Sequence, residues 1–405
     1  MTKSKKTAKI KSRKETNKQK KEIETKERKI MENQNSSFQY WMPVRILFTE
    51  AEPDIREEIA GESIVIVTDP FLYESGVAGR TGDRLGNADV SYFSKVEPNP
   101  STDTVNACAA MIREHEAKTV IGIGGGSSMD TAKAAACLAS SGGVIGDYAG
   151  KGKSFGKRTV RLILIPTTAG TGSEVTNVGV YTDSETGEKR PVVCPEFYAD
   201  LAVIHPKYTY TMPRSVTANT GMDAFCHAIE AYWNLNSQPI SDSFAVQAMK
   251  LILDNLLTAY RLPEDGAARE NLCTASLLAG LAFGQTRTTG AHVLSYPLTA
   301  RYHVPHGTGC AITLPAFIRI SVEKAGKKMQ TLAEALGYID VEALADGVCD
   351  LMRSLEMPVA LREIGAKAEE LSGIAKDAMN YYPQLSLTPA FMTEETVFDL
   401  LKSIY

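Results

Sequence analysis

The chain has 405 residues, of which 43% are hydrophobic and 23% are charged, with 31 Gly and 18 Pro. This is the composition of a globular protein, and its length allows two domains of ordinary size. No uncharged apolar run reaches the roughly 18 residues that a membrane span needs, and the N-terminus lacks the apolar segment of a secretory signal. We therefore expect a cytoplasmic protein with no membrane partner.

The seven cysteines are scattered and contain no C-x-x-C pair. An odd number of cysteines without paired spacing is typical of reduced thiols in the cytosol. The sequence therefore predicts neither a disulfide framework nor a zinc–cysteine site. The cysteines lie at positions 108, 137, 194, 226, 273, 310 and 349.

The net charge of −4 conceals an uneven distribution, because residues 1–30 hold 11 Lys and 2 Arg against only 4 Glu. This low-hydrophobicity segment predicts a disordered basic extension over residues 1–37. The extension is either dispensable, which we favour, or a targeting or RNA-binding arm. Enzymes that act on nucleic acids carry their basic residues on the folded domain. Here the remaining chain is acidic, so we expect no nucleic-acid partner.

Residues 38–208 alternate short β-branched runs with helical stretches. The runs Ser63–Thr68, Thr119–Ile123 and Thr159–Ile165 predict buried strands, and Ser101–Lys118 and Asp130–Ser140 predict helices between them. Buried strands that alternate with helices indicate a doubly wound parallel sheet. The pattern predicts an α/β, Rossmann-like domain in this part of the chain.

Residues 209–405 have a different pattern, in which long amphipathic stretches replace the strand signals. Apolar residues recur there at helical spacing, which predicts an all-α second domain. The predicted helices are Ser215–Asn234, Ser241–Tyr260, Ala267–Phe283, Ser321–Ala335 and Asp340–Leu355.

A glycine-rich turn follows the second predicted strand, in the sequence TVIGIGGGSSMDTAK. Glycines between a strand and a helix let the backbone approach a phosphate, and the helix N-terminus stabilises its charge. The spacing is not G-x-G-x-x-G, so a tight structural turn remains an alternative to a pyrophosphate site. The candidate residues are Gly124, Gly125, Gly126, Ser127 and, in the first turn of the helix, Asp130.

A second loop of small residues, PTTAGTGSE, begins at Pro166, directly after the third predicted strand. Its hydroxyl groups are Thr167, Thr168, Thr171 and Ser173. Hydroxyls at the carboxyl end of a strand suit contacts with a ribose or phosphate, whereas the alternative is a Ser/Thr-rich turn. Two such loops at neighbouring strand ends favour the dinucleotide site.

Asp69 ends the first predicted strand, in the sequence VTDPF. A carboxylate at this position can accept hydrogen bonds from an adenosine ribose and repel a 2′-phosphate, which would favour NAD(H) over NADP(H). The alternative is an ordinary Asp-Pro turn.

The chain has only six His, and three of them combine with an aspartate in a candidate metal site. Asp223 and His227 are four residues apart and lie on one helical face, while His292 and His306 follow later in the chain. One carboxylate and three imidazoles suit Fe²⁺, Zn²⁺ or Mn²⁺. Any of these histidines alone could equally be a packed or capping residue.

Four separated motifs of this chain resemble those of the iron-containing (group III) alcohol dehydrogenase family. They are GGGSSMDTAK, PTTAGTGSEVT, GMDAFCHAIEAY and a pair of histidines that ends in VPHG, and the resemblance covers residues 38–405. The resemblance implies the dehydroquinate synthase-like fold of that family, with an α/β dinucleotide-binding domain followed by a helical metal-binding domain. It also implies a homodimer that acts on a small-molecule alcohol or aldehyde.

The resemblance implies roles for individual residues as well. The metal, with Fe²⁺ expected first, would bind Asp223, His227, His292 and His306. NAD(H) would lie along Asp69, the two loops described above and Lys189. Many members of the family carry a further His four residues after the third ligand, and this chain has Tyr296 there. A phenol, with a pKa near 10, is a poor proton carrier at neutral pH.

The run Thr286-Arg287-Thr288-Thr289 departs from the small apolar residues of simple-alcohol members. It looks more like the branch that reduces phosphonoacetaldehyde or sulfoacetaldehyde. Arg287 and the hydroxyls could hold a phosphonate or sulfonate through charge-assisted hydrogen bonds. The alternative is a structural Arg287 in a general short-chain alcohol dehydrogenase, acting on ethanol, propanol, butanol or 1,3-propanediol.

Two further classes fit the sequence less well. Dehydroquinate synthases share the two-domain plan, but they build their substrate site from many Lys, Arg and Asn residues, and the helical half of this chain has no comparable cluster of them. A non-catalytic scaffold with an RNA-binding tail is disfavoured because all four proposed metal ligands are present.

Overall fold

The computed structural model describes residues 37–149 and 152–405. Met1–Trp41 and Met42–Tyr405 are two separate units, and the second contains all the elements named below. The predicted basic extension, residues 1–37, lies outside the described residues except for Ser37.

The first half of the compact unit is built on a six-stranded sheet whose strand order is β1-β8-β5-β4-β2-β3. All neighbouring pairs in this sheet are parallel. A separate antiparallel hairpin consists of β6 and β7. The strands are β1 Arg45–Phe48, β2 Ser63–Val67, β3 Asp89–Phe93, β4 Thr119–Gly124, β5 Arg161–Pro166, β6 Val178–Thr182, β7 Lys189–Val193 and β8 Leu201–Ile204.

Both faces of the sheet are buried. In β2, for example, Ile64 and Ile66 pack into one apolar cluster, while Val65 and Val67 pack into another on the opposite face. Alternate residues of a strand point to opposite faces, so a continuous β-branched run is favoured only where both faces are covered. Helices supply that cover in this half: α1 Pro70–Glu74, α2 Val77–Asp83, α3 Thr102–Glu114, α4 Gly126–Ser141 and α5 Ile145–Tyr148.

The second half is helical, and its first three helices pack closely on one another. It has no strand among the described residues after Ile204. The helices are α6 Arg214–Trp233, α7 Pro239–Arg261, α8 Gly266–Thr286, α9 Gly290–Tyr302, α10 His306–Ala311, α11 Leu314–Ile320, α12 Val322–Ala335, α13 Val341–Ser354, α14 Leu371–Ala378, α15 Tyr382–Leu385 and α16 Glu394–Ser403.

This architecture confirms the predicted fold class, a parallel sheet followed by a helical region. All seven cysteines lie among the described residues and are free. Of the helices in the described part of the chain, none is long and apolar enough to cross a membrane.

Candidate active site

Three predicted loops meet at the carboxyl edge of the sheet. Asp69 follows β2, the glycine turn follows β4, and the loop from Pro166 follows β5. These strands are direct neighbours in the order β5-β4-β2. The chain also reverses its direction of winding between β2 and β4, and ligands of open α/β sheets bind outside such a switch point.

The glycine turn has a backbone that only glycine adopts without strain. Gly124 has a φ of +151°, and a Cβ atom on it would lie 2.5 Å from Oγ of Ser128. A Cβ on Gly126 would lie 2.9 Å from the Thr171 methyl group. Glycines at these positions therefore let the backbone pass close to Ser128 and Thr171 at the N-terminus of α4, the kind of helix end that binds phosphates.

The hydroxyl groups of the loop from Pro166, which follows β5, differ in whether they have a hydrogen-bond partner. Ser173 Oγ donates a 2.6 Å hydrogen bond to Asp130 and accepts one of 2.6 Å from the fully buried Lys133. Ser173 and Asp130, which were predicted to bind the cofactor, therefore bond mainly to each other. Their contacts hold the loop against helix α4. By contrast, the buried Thr168 hydroxyl has no partner among the described residues, and it lies beside Gly125.

Asp69 has two roles in the structure, one for each oxygen. Oδ1 accepts a 2.9 Å hydrogen bond from the Leu72 amide and so caps helix α1. Oδ2 faces the glycine turn, 3.5 Å from where a Cβ of Gly124 would be. Asp69 therefore does form the Asp-Pro turn that was the alternative interpretation. Its Oδ2 is nevertheless directed towards the candidate dinucleotide site.

A cavity of about 520 Å³ extends from the glycine turn to the predicted metal ligands. Its wall includes residues of both halves of the chain and of the β6–β7 hairpin. It brings together most of the predicted site residues: Gly126, Ser127, Asp130, Thr171, Ser173, Lys189, Asp223, His227, Arg287, His292, Tyr296 and His306. Asp69, Gly124, Gly125, Thr167 and Thr168 are outside this wall.

The four predicted metal ligands converge from three helices. Asp223 and His227 share one face of α6, while His292 lies in the first turn of α9 and His306 begins α10. Asp223 Oδ1 is 3.5 Å from His292 Nε2 and 3.7 Å from His306 Nε2. Oδ2 of the same carboxylate is 3.8 Å from Nδ1 of His227.

These donors fit a divalent cation because several of them are buried without a hydrogen-bond partner. Asp223 Oδ1, His227 Nδ1 and His292 Nε2 all have none within the described residues. The side chains of Asp223 and His292 are only 5% and 4% exposed. Unpaired buried polar atoms are costly, and one metal ion would give Asp223 Oδ1 and His292 Nε2, which are 3.5 Å apart, a common partner.

Glu230 is a fully buried carboxylate that the sequence analysis missed. It accepts a hydrogen bond from Nδ1 of His292, together with bonds from the Thr289 hydroxyl (2.7 Å) and the Ala291 amide (2.8 Å). A carboxylate on Nδ1 fixes the tautomer of a metal-binding imidazole and frees Nε2. Glu230 could have been recognised from the sequence, because it lies seven residues after Asp223 and therefore on the same face of helix α6.

The protonation states of Asp223, His227 and His306 favour a cation, whereas the neighbouring Cys310 and Glu230 outweigh burial and raise the pKa of His292. Burial opposes ionisation of Asp223, but the nearby His227 and His306 hold the pKa of its carboxyl below the usual range. Burial lowers the pKa of His227 to about 4 and that of His306 to about 3, so both are neutral at pH 7. Neutral imidazoles and an ionised carboxylate are the forms that bind divalent metals.

The cluster holds one donor that was not expected. Cys310 offers its sulfur within 4.8 Å of donor atoms from Asp223, His292 and His306. Cys310 Sγ lies 3.7 Å from His306 Nε2. The sequence predicted no zinc–cysteine site because it lacks C-x-x-C pairs, and that absence says nothing of a cysteine that joins histidines in space.

Lys189 and Tyr296 occupy the cavity wall near the donors. Lys189 Nζ donates a 2.8 Å hydrogen bond to Asn99, and burial lowers the pKa of its ammonium group. Burial also raises the pKa of Tyr296 to about 12. Tyr296 is thus an even poorer proton carrier than an ordinary phenol.

Arg287 lies directly after helix α8 and faces the cavity. Its backbone has a φ of +77°, and its guanidinium donates to the Asn177 side chain (3.0 Å) and the Gly284 carbonyl (3.3 Å). No carboxylate of residues 37–149 or 152–405 forms an ion pair with it. Thr288 lies on the same wall, whereas Thr286 and Thr289 are fully buried.

Comparison with known proteins identifies the family. Residues 43–206 match "Iron-containing alcohol dehydrogenase" and residues 217–405 match "Fe-containing alcohol dehydrogenase family, C-terminal". Alcohol dehydrogenase 4 of Saccharomyces cerevisiae is 35% identical over 347 residues, which cover 84% of this chain and 90% of that protein. Sulfoacetaldehyde reductase of Bilophila wadsworthia is 33% identical over 366 residues, covering 87% of this chain and 94% of that protein.

A solved crystal structure is also similar to this chain in sequence and fold. Sulfoacetaldehyde reductase from Bifidobacterium kashiwanohense, solved in complex with NAD⁺, aligns with a TM-score of 0.85 and 36% identity. The alignment covers 91% of this chain and 99% of that one.

The fold and the donor cluster are those of a metal-dependent oxidoreductase. The two family matches span nearly all of the unit from Met42 to Tyr405. The chain belongs to the iron-containing alcohol dehydrogenase family. This confirms the predicted family and enzyme class, and it sets aside the lyase and scaffold alternatives. The expected cofactors, a divalent metal and NAD(H), agree with the family and with the NAD⁺ complex of the structural neighbour.

Proposed function

We propose that this enzyme interconverts a small aldehyde and its alcohol with NAD(H) and a divalent metal, and that its aldehyde is anionic, such as sulfoacetaldehyde or phosphonoacetaldehyde. When bound, NADH would supply the hydride and the metal would polarise the carbonyl oxygen. The observation that carries the class is one cavity that reaches from the glycine turn to the buried donor cluster.

In this proposal the metal is held by Asp223, His227, His292 and His306, with Fe²⁺ as the first candidate. The unpartnered donor atoms of Asp223, His227 and His292 support these roles. Glu230 keeps His292 in its binding tautomer. Asp223 supplies the negative charge that stabilises the cation.

The dinucleotide lies along the carboxyl edge of the sheet. Gly124, Gly125, Gly126 and Ser127 present the N-terminus of α4 to its pyrophosphate, and the free Thr168 hydroxyl and Thr171 lie beside them. Thr167 is 5% exposed and serves mainly through its amide, which donates to the Gly124 carbonyl.

Asp69 and Lys189 act at the two ends of the dinucleotide. Oδ2 of Asp69 accepts a hydrogen bond from the adenosine ribose and disfavours a 2′-phosphate, hence NAD(H) over NADP(H). Lys189, fixed by Asn99, lines the cavity near the donor cluster. The proton that the alcohol product requires comes from solvent, because Tyr296 retains its own proton at neutral pH.

Arg287 carries the proposal of an anionic substrate. It is a charged side chain on the cavity wall without a carboxylate partner in the described part of the chain, and Thr288 and Gln384 lie on the same wall. The planar guanidinium in such a position can bind two oxygens of a sulfonate or phosphonate through two parallel hydrogen bonds. Two of the relatives are themselves sulfoacetaldehyde reductases.

The alternative is a general short-chain alcohol dehydrogenase for ethanol, propanol, butanol or 1,3-propanediol. Apolar side chains also line the cavity, among them Val178, Val180 and Phe283, and these favour an uncharged substrate. In that case Arg287 serves only to end helix α8.

Rates of NADH oxidation by the Fe²⁺-loaded enzyme distinguish the two substrates. The panel is sulfoacetaldehyde and phosphonoacetaldehyde against acetaldehyde, propionaldehyde and butyraldehyde. We expect an anionic aldehyde to lead by about tenfold or more in kcat/KM, which is about 1.4 kcal/mol of transition-state preference. A lead for the neutral aldehydes would establish the alternative.

We further propose that the enzyme is a cytoplasmic homodimer with two functional domains, residues 38–208 and 209–405. The seven free cysteines support a reducing compartment. The role of the basic extension stays a prediction.

A further inference from the structure

We propose that Cys310 is an additional ligand of the catalytic metal, so that a sulfur atom joins the donors of Asp223, His227, His292 and His306. This inference rests on the metal site proposed above and deepens it. No motif of the sequence pointed to Cys310.

The spacing of the donor atoms supports this set. With metal–nitrogen, metal–oxygen and metal–sulfur bonds of about 2.0–2.3 Å, the donors of a tetrahedral site are roughly 3.3–3.7 Å apart. Asp223 Oδ1 is 3.5 Å from His292 Nε2 and 3.7 Å from His306 Nε2. Cys310 Sγ is 3.7 Å from His306 Nε2. These separations are those of ligands around one ion.

The position of Cys310 in helix α10 explains why its sulfur reaches the cluster. It follows His306 by one helical turn, so both side chains lie on the same face. Cys310 is fully buried. Its sulfur is therefore fixed beside the unpartnered Asp223 Oδ1 and His292 Nε2 rather than exposed to solvent.

His227 approaches the cluster from a different side. Its Nδ1 is near Oδ2 of Asp223, whereas His292 and His306 approach Oδ1. The His227 ring also stacks on Phe283, with 4.1 Å between centroids. The site therefore offers five donors, and Cys310 completes the four that are nearest to one another.

A sulfur ligand changes which metal the site prefers. Thiolate is a soft donor that favours Zn²⁺ over Fe²⁺, whereas imidazole and carboxylate discriminate less. The thiol binds as thiolate, so metal binding releases its proton to solvent. This chain should therefore retain Zn²⁺ more strongly than its three histidines and aspartate alone would.

Cobalt substitution of the full-length protein provides the test. The protein is stripped with a chelator and reloaded with Co²⁺, because sulfur coordination adds an intense sulfur-to-cobalt charge-transfer absorption in the near ultraviolet. We expect this absorption in the unaltered protein and its loss in Cys310→Ser, with cobalt still bound. The matched control is Cys273→Ser, a buried cysteine outside the cluster, which should keep the absorption.

A competition between Zn²⁺ and Fe²⁺ gives a second readout, in which Cys310→Ser should lower the preference for Zn²⁺ by about tenfold. Cobalt bound to the unaltered protein without the absorption would overturn the role of Cys310 and leave the other ligands standing. Failure of the unaltered protein to bind cobalt would overturn the whole metal site. The first of these outcomes needs no variant, so it holds even if Cys310→Ser does not fold.

Discussion

Nδ1 of His292 donates a hydrogen bond to the fully buried Glu230, which directs Nε2 of the same imidazole towards Asp223. The contact joins helix α6 to the start of α9 and settles which nitrogen of His292 is available to a metal. Glu230 is not part of the cavity wall, so its effect on the reaction passes through His292.

Glu230→Gln should therefore weaken metal binding without removing a ligand. An amide cannot stabilise the imidazole as a carboxylate does, and loss of such a partner typically costs about 10–100-fold in metal affinity. The measurement is metal content per chain after dialysis against a graded series of chelator concentrations. Glu174→Gln, a change at another buried carboxylate, serves as the control and should retain the metal. Equal retention by all three proteins would remove Glu230 from the account.

Arg287→Gln should separate anionic from neutral aldehydes. Loss of a charge-assisted contact costs about 2 kcal/mol, or about thirtyfold in kcat/KM, and we expect that loss for sulfoacetaldehyde but not for propionaldehyde. Steady-state rates of the variant with both substrates provide the comparison. The same loss on both substrates would mean that Arg287 acts only through the backbone turn, where its φ is +77°.

Two substitutions of Asp69 separate its role as a helix cap from its role in cofactor preference. Asp69→Asn removes the charge and keeps a good helix cap, whereas Asp69→Ala removes both, at a cost of about 1 kcal/mol of stability. Both should raise the ratio of NADPH to NADH efficiency by about tenfold, since a carboxylate disfavours the 2′-phosphate. Only the Ala variant should melt at a lower temperature. An unchanged cofactor ratio in both variants would reduce Asp69 to a cap of α1.

The raised pKa of Glu174 predicts that the free energy of unfolding depends on pH. Burial raises the pKa of this carboxyl from 4.5 to about 7. The folded state therefore holds a proton that the unfolded state has already released, so stability falls as the pH rises through this interval and stays lower above it. The shift corresponds to about 3 kcal/mol.

Free energies of unfolding between about pH 4.5 and pH 8 give the measurement. Glu174→Gln should flatten the decline, whereas Glu369→Gln, at an exposed position, should leave it unchanged. Identical slopes for the Glu174→Gln variant and the unaltered protein would show that Glu174 ionises normally.

The long elements could be predicted from the sequence because their patterns are strong. The predicted helix Ser215–Asn234 corresponds to Arg214–Trp233, and the predicted strand Ser63–Thr68 corresponds to Ser63–Val67. Strands β1, β3, β6, β7 and β8 were not predicted. Most of them are partly exposed and lack a continuous apolar run, and β8 has only four residues.

The candidate site could be predicted only as far as it consists of recognisable motifs. Asp223 and His227 could be recognised by their helical spacing, and His292 and His306 were further candidates among only six histidines before the family resemblance implied all four. Glu230 lies within the motif GMDAFCHAIEAY but was given no role there, Cys310 belongs to no motif that we used, and the roles of both depend on how α6, α9 and α10 pack. Likewise, only the structure pairs Ser173 with Asp130 and Lys133.

The most direct test of the account is to measure metal content and NADH oxidation on the same samples of full-length protein. Metal-free protein should be inactive and should regain activity in proportion to Fe²⁺ bound, up to one ion per chain. His292→Ala should lose both the metal and the activity, because it removes the imidazole whose Nε2 lies 3.5 Å from Asp223 Oδ1 in the donor cluster. Full NADH-dependent aldehyde reduction by metal-free protein, or by His292→Ala, would contradict the account.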